Sequence, residues 1–320
     1  MNFVDIAGQL LNITLVFSTA LIFAALGGMY SERSGVINIG LEGLMVSGAF
    51  AAAVMTDYAT NAGFGALSPW VGLAAAAVYG VLFSLLHAVA AVTFRANQTV
   101  VGVVINILAL GSAIYFTRSL YNESAQTRQL QYVFGKMPIP GLSDIPIIGE
   151  GLFRAYPTTY LAIVLVAVSY VVMYMTPFGL RLRAVGEHPS SADTVGIHVA
   201  KYRYIGVMLS GALAGLGGAT ITLTTTSSFA HNTISGQGFI ALAALIFGRW
   251  NPIGLAGAAL FFGLASAVRN FVQLFEFSRQ LPSELFYMLP YVLTLVVLAA
   301  AAGRTQAPAA LGQPYDPARR

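Results

Sequence analysis

Residues 204–248 read YIGVMLSGALAGLGGATITLTTTSSFAHNTISGQGFIALAALIFG, a stretch of 45 residues without Asp, Glu, Lys or Arg. A helix needs roughly 20 apolar residues to cross ~30 Å of hydrocarbon with every backbone N–H and C=O bonded inside the segment. The sequence therefore predicts a full crossing at 203–224 and a second apolar segment at 236–248, which is too short to cross as an ordinary helix. This part of the chain is adapted to lipid rather than to water.

Uncharged stretches of similar length recur along the whole chain. Hydrophobic residues make up 57% of the 320 residues and charged residues 9%, whereas a soluble domain carries about 25% charged residues. We therefore predict an all-α fold, a polytopic transmembrane helical bundle of about nine spans that include one short or broken segment. The predicted spans are 9–29, 35–55, 68–94, 99–117, 157–176, 203–224, 236–248, 252–272 and 284–302.

Basic residues predict the orientation of the bundle, because cytoplasmic loops of membrane proteins carry an excess of Lys and Arg. With the N-terminus outside, the inner connections hold ten of the 16 Lys and Arg residues, whereas the short outer loops at 56–67 and 225–235 hold none. The sequence therefore predicts an outside N-terminus and a cytoplasmic C-terminus. This orientation requires the short segment 236–248 to cross the membrane.

The longer connections complete the predicted domain organisation. We predict a transmembrane domain over residues 1–303, with an extracytoplasmic loop at 118–156 and a cytoplasmic loop at 177–202. The outer loop is rich in turn-forming residues, which suits either a docking surface or a long connector. Residues 304–320, with several prolines and glycines, are predicted to form a disordered cytoplasmic tail.

A few polar side chains lie within the apolar spans. Glu42 is the only charged residue between positions 34 and 56, Asn38 precedes it by one helical turn, and Asn106 interrupts the fourth span. On a helix, Asn38 and Glu42 would project from one face. A carboxyl group in hydrocarbon costs several kcal/mol unless it is paired, protonated or exposed to a hydrated cavity. Glu42 is therefore either part of a translocation path or a buried polar lock.

Three further residues complete the candidate substrate path. Asn97 stands at the start of the fourth span, and Phe229 and Gln237 flank the break between the sixth and seventh spans. Broken helices present backbone dipoles to a ligand cavity, although a simple outer turn gives the same pattern. The predicted path residues are Asn38, Glu42, Asn97, Asn106, Phe229 and Gln237.

The inner connection after Pro177 holds a second candidate site. Gly186-Glu-His-Pro189 predicts a turn, and the residues after it predict a short helix with Pro189 in its first turn and Gly196 at its end. A helix of this length gains its stability by docking, which implies a partner on the cytoplasmic face. The residues of this candidate partner site are Gly186, Glu187, Pro189, Ala192 and Gly196.

Two of these stretches carry a family resemblance. Residues 27–45, GGMYSERSGVINIGLEGLM, and residues 179–189, GLRLRAVGEHP, closely resemble permeases of ABC importers of the branched-chain amino acid/ribose type. The motifs are most similar to the nucleoside and simple-sugar branch of that family, and the resemblance covers about residues 12–303. It departs at His188, where many relatives have Asn.

This resemblance implies a multi-pass permease subunit of a bacterial importer that moves a small polar solute inward across the cytoplasmic membrane. A nucleoside is the favoured solute, and a ribose-like sugar or a branched-chain amino acid stays open. The resemblance also makes residues 186–196 the coupling helix, seated in a groove of a separate ATPase that binds ATP and Mg. A second related permease and an extracytoplasmic substrate-binding protein are the other implied partners.

Other functional classes find less support in the residues. The chain has no G-x-x-x-x-G-K-[ST] motif, since its only Gly-Lys pair, Gly135-Lys136, is followed by Met137. An ion-coupled secondary transporter, the main alternative, is expected to carry more ionisable residues at membrane depth. The chain lacks cysteine and the H-E-x-x-H motif, so we predict no catalytic residue and no metal site. We assign the net charge of +4 to membrane topology and predict no nucleic-acid partner.

Overall fold

The computed structural model describes residues 3–143, 145, 148–272, 288, 292, 295, 296 and 307–316. Within these residues the chain is mostly helical, which confirms the predicted bundle. The α-helices are α1 (Phe3–Arg33), α2 (Leu41–Asn61), α3 (Ser68–Ala88), α4 (Gln98–Leu120), α5 (Ile148–Leu152), α6 (Pro157–Met175), α7 (Pro177–Glu187), α8 (Pro189–Thr194), α9 (Val199–Ile221), α10 (Gln237–Phe247) and α11 (Pro252–Val272).

Short irregular elements connect these helices. A 3₁₀ turn at Gly65–Leu67 leads into α3, and π-helical turns at Val89–Thr93 and Thr222–Thr226 extend α3 and α9. Two short strands, β1 (Met137–Pro138) and β2 (Arg154–Ala155), pair antiparallel in the connection between α4 and α6. This pairing forms a two-stranded contact within the long loop predicted at 118–156.

By length and composition alone, five helical stretches in the described part of the chain are long and apolar enough to cross a membrane. They are Ile6–Arg33, Gly65–Thr93, Gln98–Leu120, Pro157–Met175 and Val199–Thr226. Two shorter apolar helices follow, Gln237–Phe247 and Pro252–Val268. The predicted ninth span, 284–302, lies almost wholly outside the described residues. The chain is a multi-pass membrane protein.

Helix α2 lies at the centre of the bundle, between α3, α4, α9 and α10. Small residues let its neighbours approach closely, since a Cβ atom on Gly48 would lie 2.3 Å from the backbone oxygen of Gly215 in α9. Helix α3 meets α9 in the same way, because a Cβ atom on Gly80 would lie 2.1 Å from the oxygen of Gly211. In lipid, where apolar contact alone does not drive association, this close backbone contact stabilises the bundle by dispersion.

The connections gather at two opposite ends of the bundle. At the end of α1, Arg33 Nε donates to the Trp250 oxygen at 3.1 Å, which places the α10–α11 turn at the same end of α1 as α7. We name this the coupling end. Near the start of α1, Asn12 Nδ2 donates to the oxygens of Gly151 at 3.3 Å and Arg154 at 3.0 Å. The α4–α6 connection therefore covers the other end, which we name the distal end.

The second predicted span, 35–55, is displaced in the structure. Residues 34–40, named the broken segment below, form turns and extended backbone with a φ of +89° at Gly35, and α2 begins only at Leu41. The prediction that Asn38 and Glu42 project from one helical face is therefore wrong. The left-handed glycine ends α1, and bonds from neighbouring side chains replace the helical bonds that the broken segment lacks.

The chain from Phe229 to Trp250, which contains the short seventh segment at 236–248, runs between the two ends of the bundle. Phe229 at its beginning accepts a hydrogen bond from the Thr127 N–H at the distal end, 2.9 Å. Trp250 at its close lies beside Arg33 at the coupling end. Residues 227–236 form turns, and α10 supplies the helical remainder. Non-helical backbone thus adds to the length of the 11-residue helix, and a membrane crossing by this segment stays a prediction.

Two predictions at the coupling end differ from the structure. The tail 304–320 was expected to be disordered, but residues 307–316 form turns packed on α7, with an Ala310 N–H to Gly186 oxygen bond of 3.0 Å. The predicted turn from Gly186 to Pro189 is reduced to His188, because α7 continues through Glu187. In both places contacts between residues far apart in the sequence stabilise a structure that local composition does not indicate.

Candidate translocation path and coupling loop

The broken segment brings non-helical backbone into the helical bundle, and side chains from three helices bond to it. Ser31 Oγ in α1 donates to the Val36 oxygen at 2.8 Å. The Ile37 N–H donates to Gln98 Oε1 in α4 at 2.7 Å, and the Ile37 oxygen accepts from His87 Nε2 in α3 at 3.1 Å. Backbone groups without water must bond within the protein. His87 is thus a structural histidine of the core.

Asn106 closes the far end of the broken segment. Its Nδ2 donates to the Ile39 oxygen at 3.0 Å, and its Oδ1 accepts from the Gly43 N–H at 2.7 Å. The close approach depends on glycine, since a Cβ atom on Gly43 would lie 2.8 Å from the Cα of Asn106. One amide therefore satisfies both a carbonyl before α2 and an N–H within its first turn.

Asn38 is fully buried and points to α9. Its Nδ2 donates to Ser210 Oγ at 2.8 Å, and its Oδ1 has no hydrogen-bond partner among the described residues. An unpaired buried acceptor costs about 1–3 kcal/mol, so it is retained only where something else requires it. Within the described residues, Asn38 is the one predicted path residue with a fully buried polar atom that has no hydrogen-bond partner.

Glu42 binds the N-terminus of α10. Its carboxylate accepts from the Gly236 N–H at 2.6 Å and from the Gly238 N–H at 2.7 Å. A carboxylate at this position satisfies helix N–H groups that have no partner in the helix and interacts favourably with the helix dipole. Gln237 lies between the two donors and is half-buried. This geometry favours the interpretation of Glu42 as a buried polar lock.

The other end of α10 is held by α1. Trp250 Nε1 donates to Glu32 Oε2 at 2.6 Å, and Glu32 is only 4% exposed. Arg33 donates to the Trp250 oxygen at 3.1 Å and to the Arg249 oxygen at 3.3 Å, so a cation meets the carbonyl end of α10. Helix α10 is therefore bound at its N-terminus by an acid of α2 and at its C-terminus by a base of α1.

Glu32 and Trp250 were not predicted as site residues. Both stand in the sequence as ordinary span-end residues, and 218 positions separate them. The one available signal is that Glu32 lies inside the stretch 27–45 that carries the family resemblance.

The structure brings four of the six predicted path residues together. Asn38, Glu42, Asn106 and Gln237 surround the start of α2. Asn97 lies at the coupling end and caps α4, with Oδ1 accepting from two backbone N–H groups at 3.0 and 3.2 Å. Phe229 lies at the distal end, with its ring 5.7 Å from that of a phenylalanine in α2. A role for these residues in transport stays a prediction.

The coupling loop contains α7 and α8. Pro189 occupies the first turn of α8, and Gly196 follows it with a φ of +84°. Ala192 is 4% exposed and packs with Val185 and Val199. It therefore holds α8 against its neighbours and does not face a partner. The exposed positions on and beside α8 are His188, Ser190, Ser191, Thr194, Val195 and Gly196. Of these, Gly196 alone was predicted.

Gly186 and Glu187 connect the coupling loop to the end of α1. A Cβ atom on Gly186 would lie 2.1 Å from the Arg33 oxygen, so only glycine allows α7 to pack there. The Glu187 carboxylate lies 3.9 Å from Arg33 Nη1 and accepts from the Ala309 N–H at 3.1 Å. Arg33 in turn bonds to the carbonyl end of α10. One arginine, Arg33, therefore contacts both α7 and the carbonyl end of α10.

Known proteins resemble this chain along its whole length. The family model described as branched-chain amino acid transport system, permease component, matches residues 10–298. The guanosine ABC transporter permease protein NupQ of Bacillus subtilis is 50% identical over 321 residues, which cover 100% of each chain. The nucleoside ABC transporter permease protein NupC of Lactococcus lactis subsp. cremoris is 42% identical, over 98% of this chain and 99% of NupC.

A more distant relative also belongs to a guanosine system. The guanosine ABC transporter permease protein NupP of Bacillus subtilis is 26% identical over 77% of this chain and 69% of its own length. No solved structure matches the chain.

Proposed function

Because the chain belongs to the family of branched-chain amino acid transport system permease components, we propose that it is the permease subunit of an ABC importer that moves nucleosides into the cell. The observation that carries this proposal is the 50% identity to a guanosine permease over the full length of both chains. A ribose-like sugar and a branched-chain amino acid are the alternative solutes within the same mechanism.

The coupling end is the cytoplasmic end in this proposal. Arg33, Arg95, Arg181, Lys201 and Arg249 lie there, and basic residues are in excess on the cytoplasmic side. The membrane is then the bacterial cytoplasmic membrane. A separate ATPase, which binds ATP and Mg, docks on the exposed face of α8.

Two further partners belong to the proposed assembly. NupQ and NupP are both named guanosine ABC transporter permease proteins of one organism, and both are similar to this chain. This supports pairing with a second related permease rather than with a copy of itself. A substrate-binding protein would deliver the nucleoside to the distal end, where the folded 121–156 connection stands.

In the proposed mechanism, ATP-driven closure of the ATPase displaces α7 and α8. Because Gly186 packs on Arg33, and Arg33 binds the carbonyl end of α10, the displacement reaches α10. Glu42 holds the N-terminus of α10 to α2, so α10 pivots at this contact rather than leaving the bundle. The unpaired Oδ1 of Asn38 lies in the broken segment that precedes α2 and is the atom that we assign to the substrate path.

Uptake by the complete complex in sealed vesicles tests the solute and the energy source. We expect ATP-dependent accumulation of radiolabelled guanosine that unlabelled nucleosides suppress and that ribose and leucine do not. Suppression by ribose or leucine alone would identify one of the alternative solutes. Accumulation driven by an ion gradient, by this chain without an ATPase, would overturn the proposed mechanism.

The docking surface is tested separately. Val195 is 74% exposed beside α8, and Val195→Asp would place a charge in the proposed ATPase contact. We expect the ATPase to copurify poorly with this variant. Met137→Asp, an equally apolar exposed site at the distal end, is the matched control and should leave copurification unchanged. Equal copurification of the two variants would contradict docking on α8.

A further inference from the structure

Residues 307–316, named the strap below, cross the coupling end in turns. Pro308 and Ala310 are buried, although the strap contains no regular helix or strand. Its first half binds α7: the Ala309 N–H donates to Glu187 Oε2 at 3.1 Å, and the Ala310 N–H donates to the Gly186 oxygen at 3.0 Å. These bonds fix the strap to the part of α7 that packs on Arg33.

The middle of the strap binds the broken segment. The Gly312 N–H donates to the Gly35 oxygen at 3.2 Å. Both glycines have left-handed backbone, with φ of +79° and +89°, and a Cβ atom on Gly312 would lie 2.7 Å from Ile37 Cδ1. Glycine at both positions is therefore what allows the two backbones to bond.

The second half of the strap binds α9 and α8. Arg203 in α9 is 1% exposed, and its Nη1 donates to the Gln313 oxygen at 2.9 Å. The Tyr315 hydroxyl donates to Asp193 Oδ2 in α8 at 2.9 Å. Hydrogen bonds that involve a charged group are the stronger ones. The Arg95–Asp316 ion pair, 2.9 Å apart, is more exposed and contributes less.

We propose that the strap is a positioning element for energy coupling, which ties α8 to the broken segment, and that Tyr315 is its positioning residue. The proposal rests on the proposed function of α8 as the ATPase contact. Helix α8 has six residues and one buried side chain, Ala192, and a helix this short has no stability of its own. Apart from the strap, the packing of Ala192 on Val185 and Val199 is the contact that holds α8 to its neighbours, so the strap adds a second attachment.

The path of transmission follows from these contacts. A push on α8 reaches Tyr315 through Asp193, and the strap then carries it to Gly35. Gly35 is the second residue of the broken segment. The Ile39 oxygen of that segment bonds to Asn106, which also accepts from the Gly43 N–H next to Glu42. The strap therefore reaches the start of α2 by a route that is separate from the Arg33 route to α10.

Deletion of residues 307–320 tests the strap in the complete complex, with the ATPase, second permease and binding protein reconstituted in liposomes. Guanosine uptake and ATP hydrolysis are measured in the same sample. We expect the amount of assembled complex and the hydrolysis rate to stay near parental values. Uptake per ATP should fall by about fivefold or more, the lower range for coupling between sites. Deletion of residues 317–320, which keeps the strap, is the matched control.

Tyr315→Phe removes only the hydroxyl that reaches Asp193. We expect a loss of uptake per ATP of about threefold to tenfold, as for one typical intramolecular hydrogen bond. Tyr58→Phe, whose side chain is 70% exposed in α2, is the control and should match the parental complex.

Three outcomes separate the two proposals. A parental complex without ATP-driven uptake overturns the proposed function and, with it, the strap. A parental complex that transports, together with a 307–320 deletion that transports equally per ATP, overturns the strap alone. A deletion that lowers the amount of complex without changing uptake per ATP also overturns it, because the strap would then be purely structural.

Discussion

Two stretches of non-helical backbone interrupt the bundle, the broken segment at residues 34–40 and the turns at residues 227–236. In the broken segment no residue is exposed in the described structure, and its bonds reach α1, α3 and α4. Residues 227–236 include exposed positions, and part of their bonding is local, such as the 2.8 Å bond from the Ala230 N–H to Thr233 Oγ1.

The difference assigns the two stretches different roles. The free energy of local opening is low where backbone is exposed and buried contacts are few. Residues 227–236, together with α10, are therefore the part that we expect to change shape during transport, whereas the broken segment keeps its own shape and moves as a unit with the start of α2. Glu42 joins the two, because it follows the broken segment and binds the N-terminus of α10.

Gly238 gives the largest expected effect, because α10 packs closely on α2 there, next to the Glu42 contact that joins the two regions. A Cβ atom on Gly238 would lie 2.4 Å from the Cα of Glu42, a backbone atom that cannot move without α2. We expect Gly238→Ala to lower the free energy of unfolding by about 3 kcal/mol or more, the upper range for overpacked sites. The midpoint of thermal unfolding of the purified protein in detergent measures this loss.

The control for Gly238 is Gly257→Ala in α11, where a Cβ atom would meet open space. Alanine favours a helix over glycine by up to ~1 kcal/mol, so this variant should be neutral or slightly more stable. Equal midpoints for the two variants would mean that α2 and α10 are not in close contact.

A substitution of Asn106 tests how far the broken segment depends on side-chain hydrogen bonds. Asn106→Leu leaves the Gly43 N–H and the Ile39 oxygen without partners, which should destabilise the protein by about 2–3 kcal/mol. Ser112→Ala is the control on the same helix, since Ser112 bonds only within its own turn in the described structure, and should stay within ~0.5 kcal/mol. If Asn106→Leu loses nucleoside binding at an unchanged midpoint, Asn106 acts in the substrate path instead.

Glu42→Gln tests the joint between the two regions. Glutamine keeps one acceptor oxygen but turns an N–H₂ donor toward the second helix N–H and removes the negative charge from the helix N-terminus. We expect a loss of about 1–2 kcal/mol in stability, with a comparable binding constant for guanosine by equilibrium dialysis. Loss of guanosine binding at unchanged stability would favour the interpretation of Glu42 as part of the translocation path over its interpretation as a buried polar lock.

Two serines give the smallest effects and sharpen the comparison. Ser31→Ala removes the Oγ that donates to the Val36 oxygen of the broken segment, and we expect a loss of about 1 kcal/mol. Ser235→Ala, at an exposed turn position, should change stability by less than ~0.5 kcal/mol. Backbone amides of residues 227–236 should also exchange with solvent faster than those of residues 34–40. The reverse order would contradict the assigned roles.

Sequence patterns predicted the helices but not the contacts between them. Uncharged length was sufficient for the bundle, and Pro189 and Gly196 were sufficient for the short helix α8, because these signals act within a few residues. The prediction that Asn38 and Glu42 share one helical face was wrong, because one left-handed glycine, Gly35, redirects the chain before α2. The composition of residues 307–316 predicted disorder, whereas the structure has turns there that a buried arginine of α9 stabilises.

The site was predicted in part for the same reason. Polarity at depth identified Glu42 and Asn106, because a polar group in lipid must have a partner or a use. Polarity does not identify the partner, so the bonds from Glu42 to the N-terminus of α10 and from Trp250 to Glu32 could not be predicted. Each joins residues about 200 positions apart.

The sequence by itself determined that this protein lies in the membrane and that its motifs are those of a permease. These properties follow from side-chain chemistry and short-range backbone preference. Only the tertiary structure decided which charge binds which helix end, and that Glu42 and Arg33 hold the two ends of α10. The physical reason is that a buried ionic group bonds to whatever donor or acceptor the packing brings within about 3 Å, and sequence spacing does not specify that neighbour.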